Sequence, residues 1–282
     1  MPRFDTKEPI SVTIELAAGD IQLVASDRTD TVVEVRPSDE SDESDVKAAQ
    51  QTRVEYADGT LTVRGLKTLA HAFSSKSKSV DVLVELPTGS EVDSQMSAGD
   101  VRGTGRLGGC RFKTSVGHIR LDRTGALRVD TGAGHVTVDR VTGDAEIATG
   151  TGRVRIGTLD GSVVVKNSNG DTEIGQVTGD LRVQASNGNI SVDQATGVRN
   201  DAKTANGSVR FGELARGSAV LKTATGDLEA GITSGTAVWL DLHTSYGRVS
   251  NSLDDVPGPD EAEETLEVHA STSHGDVTVR RS

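Results

Sequence analysis

The chain has 282 residues, of which 34% are hydrophobic and only one Trp, two Tyr and four Phe are aromatic, so a wide globular core is excluded. A net charge of −12 argues against nucleic acid as a partner, and a single cysteine excludes any intramolecular disulfide. The 32 glycines, with no collagen period and little proline, point to frequent corners rather than to disorder.

In chain order, Met1-Pro2-Arg3-Phe4-Asp5 opens directly on polar sequence without the pattern of a secretory signal. No later stretch approaches the roughly 18 apolar residues that cross a bilayer. The expected location is cytoplasmic, with no membrane partner. Ile21 and Leu23 follow Gly19, and Leu61 and Val63 follow Gly59, at matching offsets. Between them Asp39, Glu40, Asp42, Glu43 and Asp45 open a predicted short helix over 42–53, with Val46, Ala49 and Arg53 as its faces. Lys67 to Ser79 is rich in Ser and Lys and reads as a mobile loop. Val80, Val82, Val84 and Leu86 alternate as a strand ahead of Pro87. Residues 1–90 are therefore expected to form an irregular N-terminal β cap with entry coils, since an uncovered first coil would expose both core and strand edge.

Residues 91–282 carry the repeat array. Gly99, Gly117, Gly134, Gly152, Gly170, Gly188, Gly207, Gly226, Gly247 and Gly275 recur at intervals of mostly 17 to 19 residues, stretching to 21 and 28 at the end. Two residues after nearly every one stands an apolar side chain, as in Val101, Ile119, Val136, Val154, Ile190 and Val209, with Thr172 the exception. A second alternating segment precedes each glycine, with inward pairs such as Leu127 with Val129, Val163 with Val165, and Leu240 with Leu242. Thr114, Thr131, Thr149, Thr204, Thr223, Thr244 and Thr272 lie three residues before the glycine, where stacking would line them up as a polar ladder. Asn169-Gly170, Asn187-Gly188 and Asn206-Gly207 mark tight corners. Two topologies use this pattern: an antiparallel meander of type I′ hairpins, or a parallel β-solenoid with one coil per repeat. The near-constant step favours the solenoid, because stacked coils must keep equal length. The expected fold is all-β, a single-stranded parallel β-solenoid with coils of about 18 residues, right-handed because parallel crossovers favour that hand, and on the order of 50 Å long.

Few residues carry chemistry. Cys110 falls at an inward strand position, where a small buried thiol is expected. His118 and His135 both follow a repeat glycine, so stacking would make them neighbours and candidate metal ligands; exposed turn histidines are the plainer reading, and no metal or other cofactor is expected. Asp171, Asp227 and Asp276 share that offset on coils distant in sequence. Phosphate-loop, His-Glu-x-x-His and Gly-x-Ser-x-Gly motifs are absent, which favours a protein that is not an enzyme. Arginines are denser: Arg102, Arg106, Arg111, Arg120, Arg123, Arg128, Arg140, Arg153 and Arg155 lie between Gly99 and Ile156 against six acids. Arg102, Arg120 and Arg155 share the offset three past the glycine, and with Arg153 they are candidates to bind an acidic partner. Trp239 and Tyr246 are candidate apolar platforms with polar tips. The second acidic cluster, in an insert over 253–265 that contains prolines, separates the last two glycines.

The segment Ala18-Gly19-Asp20-Ile21, the Asp-Gly-Thr-Leu-Thr-Val run at 58–63 and the Gly-Asp-Val and Asn-Gly-Asn-Ile units resemble the bacterial β-strand-repeat family labelled "putative adhesins", a domain of unknown function. The resemblance covers nearly the whole chain and implies a β-solenoid. Together with the residue reading it implies a non-catalytic binding or scaffolding protein that presents side-chain ladders to a protein or polymer partner, with self-association through the ends as a related expectation. The alternative is a polysaccharide-active or small-molecule enzyme with a groove along one face.

Overall fold

The computed structural model describes residues 1–65, 78–253 and 264–282. The predicted loop at 67–79 and the acidic insert at 253–265 thus lie almost wholly outside the described residues. The chain divides into two compact units, Met1–Val138 and Asp139–Ser282.

The first unit contains β1 (Arg3–Asp5), β2 (Ser11–Glu15), β3 (Ile21–Ser26), β4 (Asp30–Pro37), α1 (Glu43–Gln51), β5 (Arg53–Ala57), β6 (Thr60–Arg64), β7 (Val80–Pro87), β8 (Glu91–Ala98), β9 (Val101–Arg106), β10 (Cys110–Val116), β11 (Ile119–Thr124) and β12 (Leu127–Ala133); β13 (Val136–Val141) spans the boundary. One sheet runs β1-β4-β7-β3-β9-β11, the other β5-β6-β2-β8-β10-β12. From β2 and β3 onward, strands pair in parallel with the equivalent strand of the next coil, as Cys110 with Leu127, Phe112 with Val129, and Ile119 with Val101. Parallel pairing selects the solenoid over the hairpin meander. Antiparallel pairing is confined to β1 with β4, β4 with β7, and β5 with β6.

Alternation places the expected residues inside: Ile119, Leu121, Leu127 and Val129 are all buried, as is Cys110. Two sequence expectations change. Gly59 has the array's offsets but turns the β5–β6 hairpin, where both Asp58 and Gly59 have positive φ and a side chain at 59 would meet nothing. The helix is real, capped by the Asp42 carboxylate, yet it buries Asp45 and Ala48 rather than Val46 and Ala49, while Arg53 opens β5. Asp45 is inside because its carboxylate accepts the backbone N–H of Ser79 at 2.8 Å, holding the chain that enters β7.

The second unit contains β14 (Ala145–Thr151), β15 (Val154–Leu159), β16 (Val163–Asn169), β17 (Thr172–Val177), β18 (Leu181–Asn187), β19 (Ile190–Ala195), β20 (Arg199–Lys203), β21 (Val209–Leu214), β22 (Gly217–Lys222), β23 (Leu228–Ile232), β24 (Thr236–Tyr246), β25 (Val249–Ser252), β26 (Glu264–His274) and β27 (Val277–Arg281). Its pairing is parallel throughout. The final coils are out of chain order. The sheets end β22-β26-β24 and β23-β27-β25, so the last coil in sequence is inserted between β22–β23 and the coil β24–β25. Gly275 accordingly stacks on Gly226, and Gly247 on Gly275.

Several of the Thr positions before the glycines satisfy turn carbonyls, although the buried hydroxyls of Thr131 and Thr149 find no partner. Thr204 donates to Gly188 O, Thr223 to Gly207 O and Thr272 to Gly226 O, at 2.9 to 3.2 Å. Asn167 does the same with its amide, reaching Gly152 O and Gly170 O. Buried carbonyls that face no strand neighbour are costly unless so paired.

Candidate functional site

At the residue after most of the repeat glycines, the backbone N–H points along the stack toward a side chain of the neighbouring coil. In the first unit Asp81 Oδ1 accepts from Asp20 N, Asp20 Oδ1 from Asp100 N, Asp100 Oδ1 from His118 N, and His118 Nδ1 from His135 N, at 2.7 to 3.0 Å. In the second, Asp171 serves Asn189, Asn189 serves Ser208, Ser208 serves Asp227, Asp227 serves Asp276, and Asp276 serves Arg248. In these runs the acceptor is a short Asp, Asn, Ser or His side chain, whereas Arg153 and Arg248 stand at the same offset.

His118 and His135 are thus brought together, with rings stacked 14° from parallel and centroids 4.9 Å apart. Their closeness serves the ladder. The His118 nitrogen nearest the backbone is occupied by the His135 N–H, and no cluster of three or more His, Cys, Asp or Glu able to hold a metal occurs among the described residues. Asp227 and Asp276, expected on distant coils, are adjacent because of the coil insertion, and each spends an oxygen on a backbone N–H.

The arginines separate into two groups. Arg102 and Arg120 are register partners on the outer face of β9 and β11, both exposed. Arg106 and Arg123 form a second rung on the same strands, beyond an irregularity after Leu121. Among the described residues no carboxylate lies within ion-pairing distance of any of these four. In the second unit most arginines are compensated: Arg140 by Asp160, Arg199 by Asp180, and both Arg210 and Arg280 by Glu229. Arg153 and Arg155 both flank Glu173, the first at 3.6 Å and the second as its register partner. Asp180 is held below the usual carboxylate range by its hydrogen bond to Arg199.

Trp239 and Tyr246 both lie on β24 and are exposed, at 59% and 71%. Seven residues of strand separate them, about 23 Å, so they form no common platform. Trp239 meets His269 edge-on, and Tyr246 stacks on His274. His269 was not legible as special in the sequence: Nδ1 lies 3.2 Å from Asp241 and Nε2 2.8 Å from Glu267, and these two hydrogen bonds raise its pKa above the ordinary value. Burial pushes the Cys110 thiol up to about 11, which removes the thiolate needed of a nucleophile.

No helix among the described residues is long and apolar enough to cross a membrane. No curated protein matches the chain. Similar solved structures include a "putative cell adhesion protein" from Clostridium sporogenes, at 8% identity, covering 100% of this chain and 98% of that one with a TM-score of 0.27. A "putative adhesin" from Bacteroides fragilis and a "putative lipid binding protein" from Parabacteroides distasonis each share 12% identity, cover 99% of this chain and 95% of theirs, and give a TM-score of 0.34. The glycine-cornered parallel coils agree with a family model that spans nearly the whole sequence, matching residues 11–280, and the chain belongs to that family, Toastrack DUF4097.

Proposed function

We propose that the chain is a non-catalytic, adhesin-like binding protein whose arginine rungs on β9 and β11 take an acidic protein or polymer. The observation that carries this reading is the pairing of like charges, Arg102 with Arg120 and Arg106 with Arg123, with no carboxylate in reach among the described residues. Rungs about 4.8 Å apart place guanidinium groups close enough to repel. A partner carrying repeated carboxylate, sulfate or phosphate groups relieves that repulsion and meets planar forks suited to bidentate hydrogen bonds. The commitment of Asp227 and Asp276 to backbone N–H groups favours binding over a carboxylate-driven hydrolysis. The reading retains a right-handed coil of about 18 residues, with residues 1–90 as its cap and 91–282 as the presenting array.

Calorimetric titration with a sulfated polysaccharide and with a polyuronate at low salt tests the proposal. The Arg102→Gln, Arg120→Gln double variant is expected to lose at least about tenfold in affinity, and added salt to weaken the wild type. Arg199→Gln, which removes an arginine already paired with Asp180, should bind as the wild type does. Absence of binding to both polymers, or an equal loss in the Arg199 variant, refutes the arginine face as the site.

A further inference from the structure

The coil β24–β25 ends the second unit differently from the way the first unit begins. The outermost strands of the first unit, β1 and β5, are short, antiparallel and charged, with Arg3, Asp5, Arg53 and Glu55, features that block further pairing. β24 runs 11 residues in a parallel edge, without proline or lysine and with Asp241 as its one acid. Among the described residues nothing pairs with its outer side. Val238, Leu240 and Leu242 stand in register with the buried Leu266, Val268 and Ala270, yet are themselves only half-buried, and Val249 opposite Val277 is 44% exposed.

We infer that this edge is the interface with a second copy of the chain, joined tail to tail about a two-fold axis normal to the sheets. Such an axis keeps each sheet on its own side and sets β24 antiparallel to the partner's β24 and β25 antiparallel to the partner's β25, covering the open core and pairing both edges. Because the protected strands at the start of the chain refuse a head-to-tail contact, the assembly closes at two copies. Register follows from charge. Centring the axis on Asp241 would oppose two carboxylates, whereas centring it on Leu242 sets Asp241 opposite His243 of the other copy, twice, with Leu240 opposite Thr244 and Trp239 opposite Ser245. This interface is independent of the arginine face.

Light scattering coupled to size exclusion, on the full chain across a concentration series, is expected to give twice the 29.4 kDa chain mass. His243→Asp brings carboxylates together and should weaken dimerisation by at least about tenfold. Adding Asp241→His to it restores the opposite pairing and should restore the dimer, with circular dichroism reporting that both variants fold. Hydrogen exchange at the β24 amides should slow as the dimer forms. A monomer at every concentration, an assembly that grows past two, or a dimer indifferent to His243→Asp overturns the inference.

Discussion

The backbone N–H of His135 donates to Nδ1 of His118 at 2.9 Å while the two imidazoles stack. The bond is one rung of a ladder otherwise made by Asp, Asn and Ser, so the imidazole's role is that of a short acceptor. His118→Asn should therefore leave stability nearly unchanged, and His118→Ala should cost about 1 kcal/mol by stranding the His135 N–H. Urea unfolding of the two variants separates these outcomes; equal losses would show that ring stacking, not the accepted hydrogen bond, is what matters.

Gly117 carries a heavier constraint. A Cβ there would lie 1.8 Å from Gly99 O, on a backbone with φ of 151°. The clash is with main chain of the adjoining coil, which cannot yield without breaking its own pairing. Gly117→Ala is predicted to destabilise by about 3 kcal/mol or more. Gly59→Ala, at positive φ but in open space, should cost only about 1 kcal/mol. Thermal unfolding of the pair checks the ratio.

Much of this was readable in advance, because the glycine step and the period of two report directly on coil corners and inward positions. The coil insertion was hidden: Val277 and Val279 repeat the pattern of every other coil, and only the long gap after Gly247 hinted that the chain's last coil leaves sequence order. For the same reason Leu240 and Leu242 read like any inward pair, although they face an open end. Arg102 and Arg120 declared themselves by offset, whereas Arg106 and Arg123 did not, since the irregularity after Leu121 shifts the register between them. His269 depends on Asp241, 28 residues earlier, and so on the inserted coil.

The corner asparagines are directional. Asn187 donates its amide to Asn169 Oδ1 at 2.8 Å and accepts from Asn206 at 2.9 Å. Replacing Asn169 by Asp keeps the acceptor that Asn187 uses and gives up only the long 3.4 Å bond of its amide to Gly150 O, so Asn169→Asp should cost less than Asn187→Asp. Asn187→Asp removes a donor and sets acceptor against acceptor, for a predicted loss of about 1 to 2 kcal/mol. The same geometry slows deamidation at Asn187-Gly188, because the Gly188 N–H that would have to attack the side chain is donated to Asn206 O at 2.8 Å. Mass spectrometry of native and urea-unfolded protein after prolonged incubation should show deamidation there chiefly in the unfolded sample.

His269 gives the stack a pH dependence with a definite sign. Protonated, it donates to Asp241 on the edge strand β24 and to Glu267 on its own strand, and those bonds raise its folded pKa above the unfolded value. A group shifted in this direction contributes stability that is complete below the unfolded pKa, about 6.5, and is lost as pH rises through the folded pKa. The side chain is 35% exposed, so solvent screens the interaction and its worth is at most about 1 kcal/mol. Wild-type protein should lose more stability than His269→Gln does as pH rises from below about 6.5 through the raised folded pKa. Parallel pH profiles for the two proteins in urea unfolding would place the effect elsewhere in the chain.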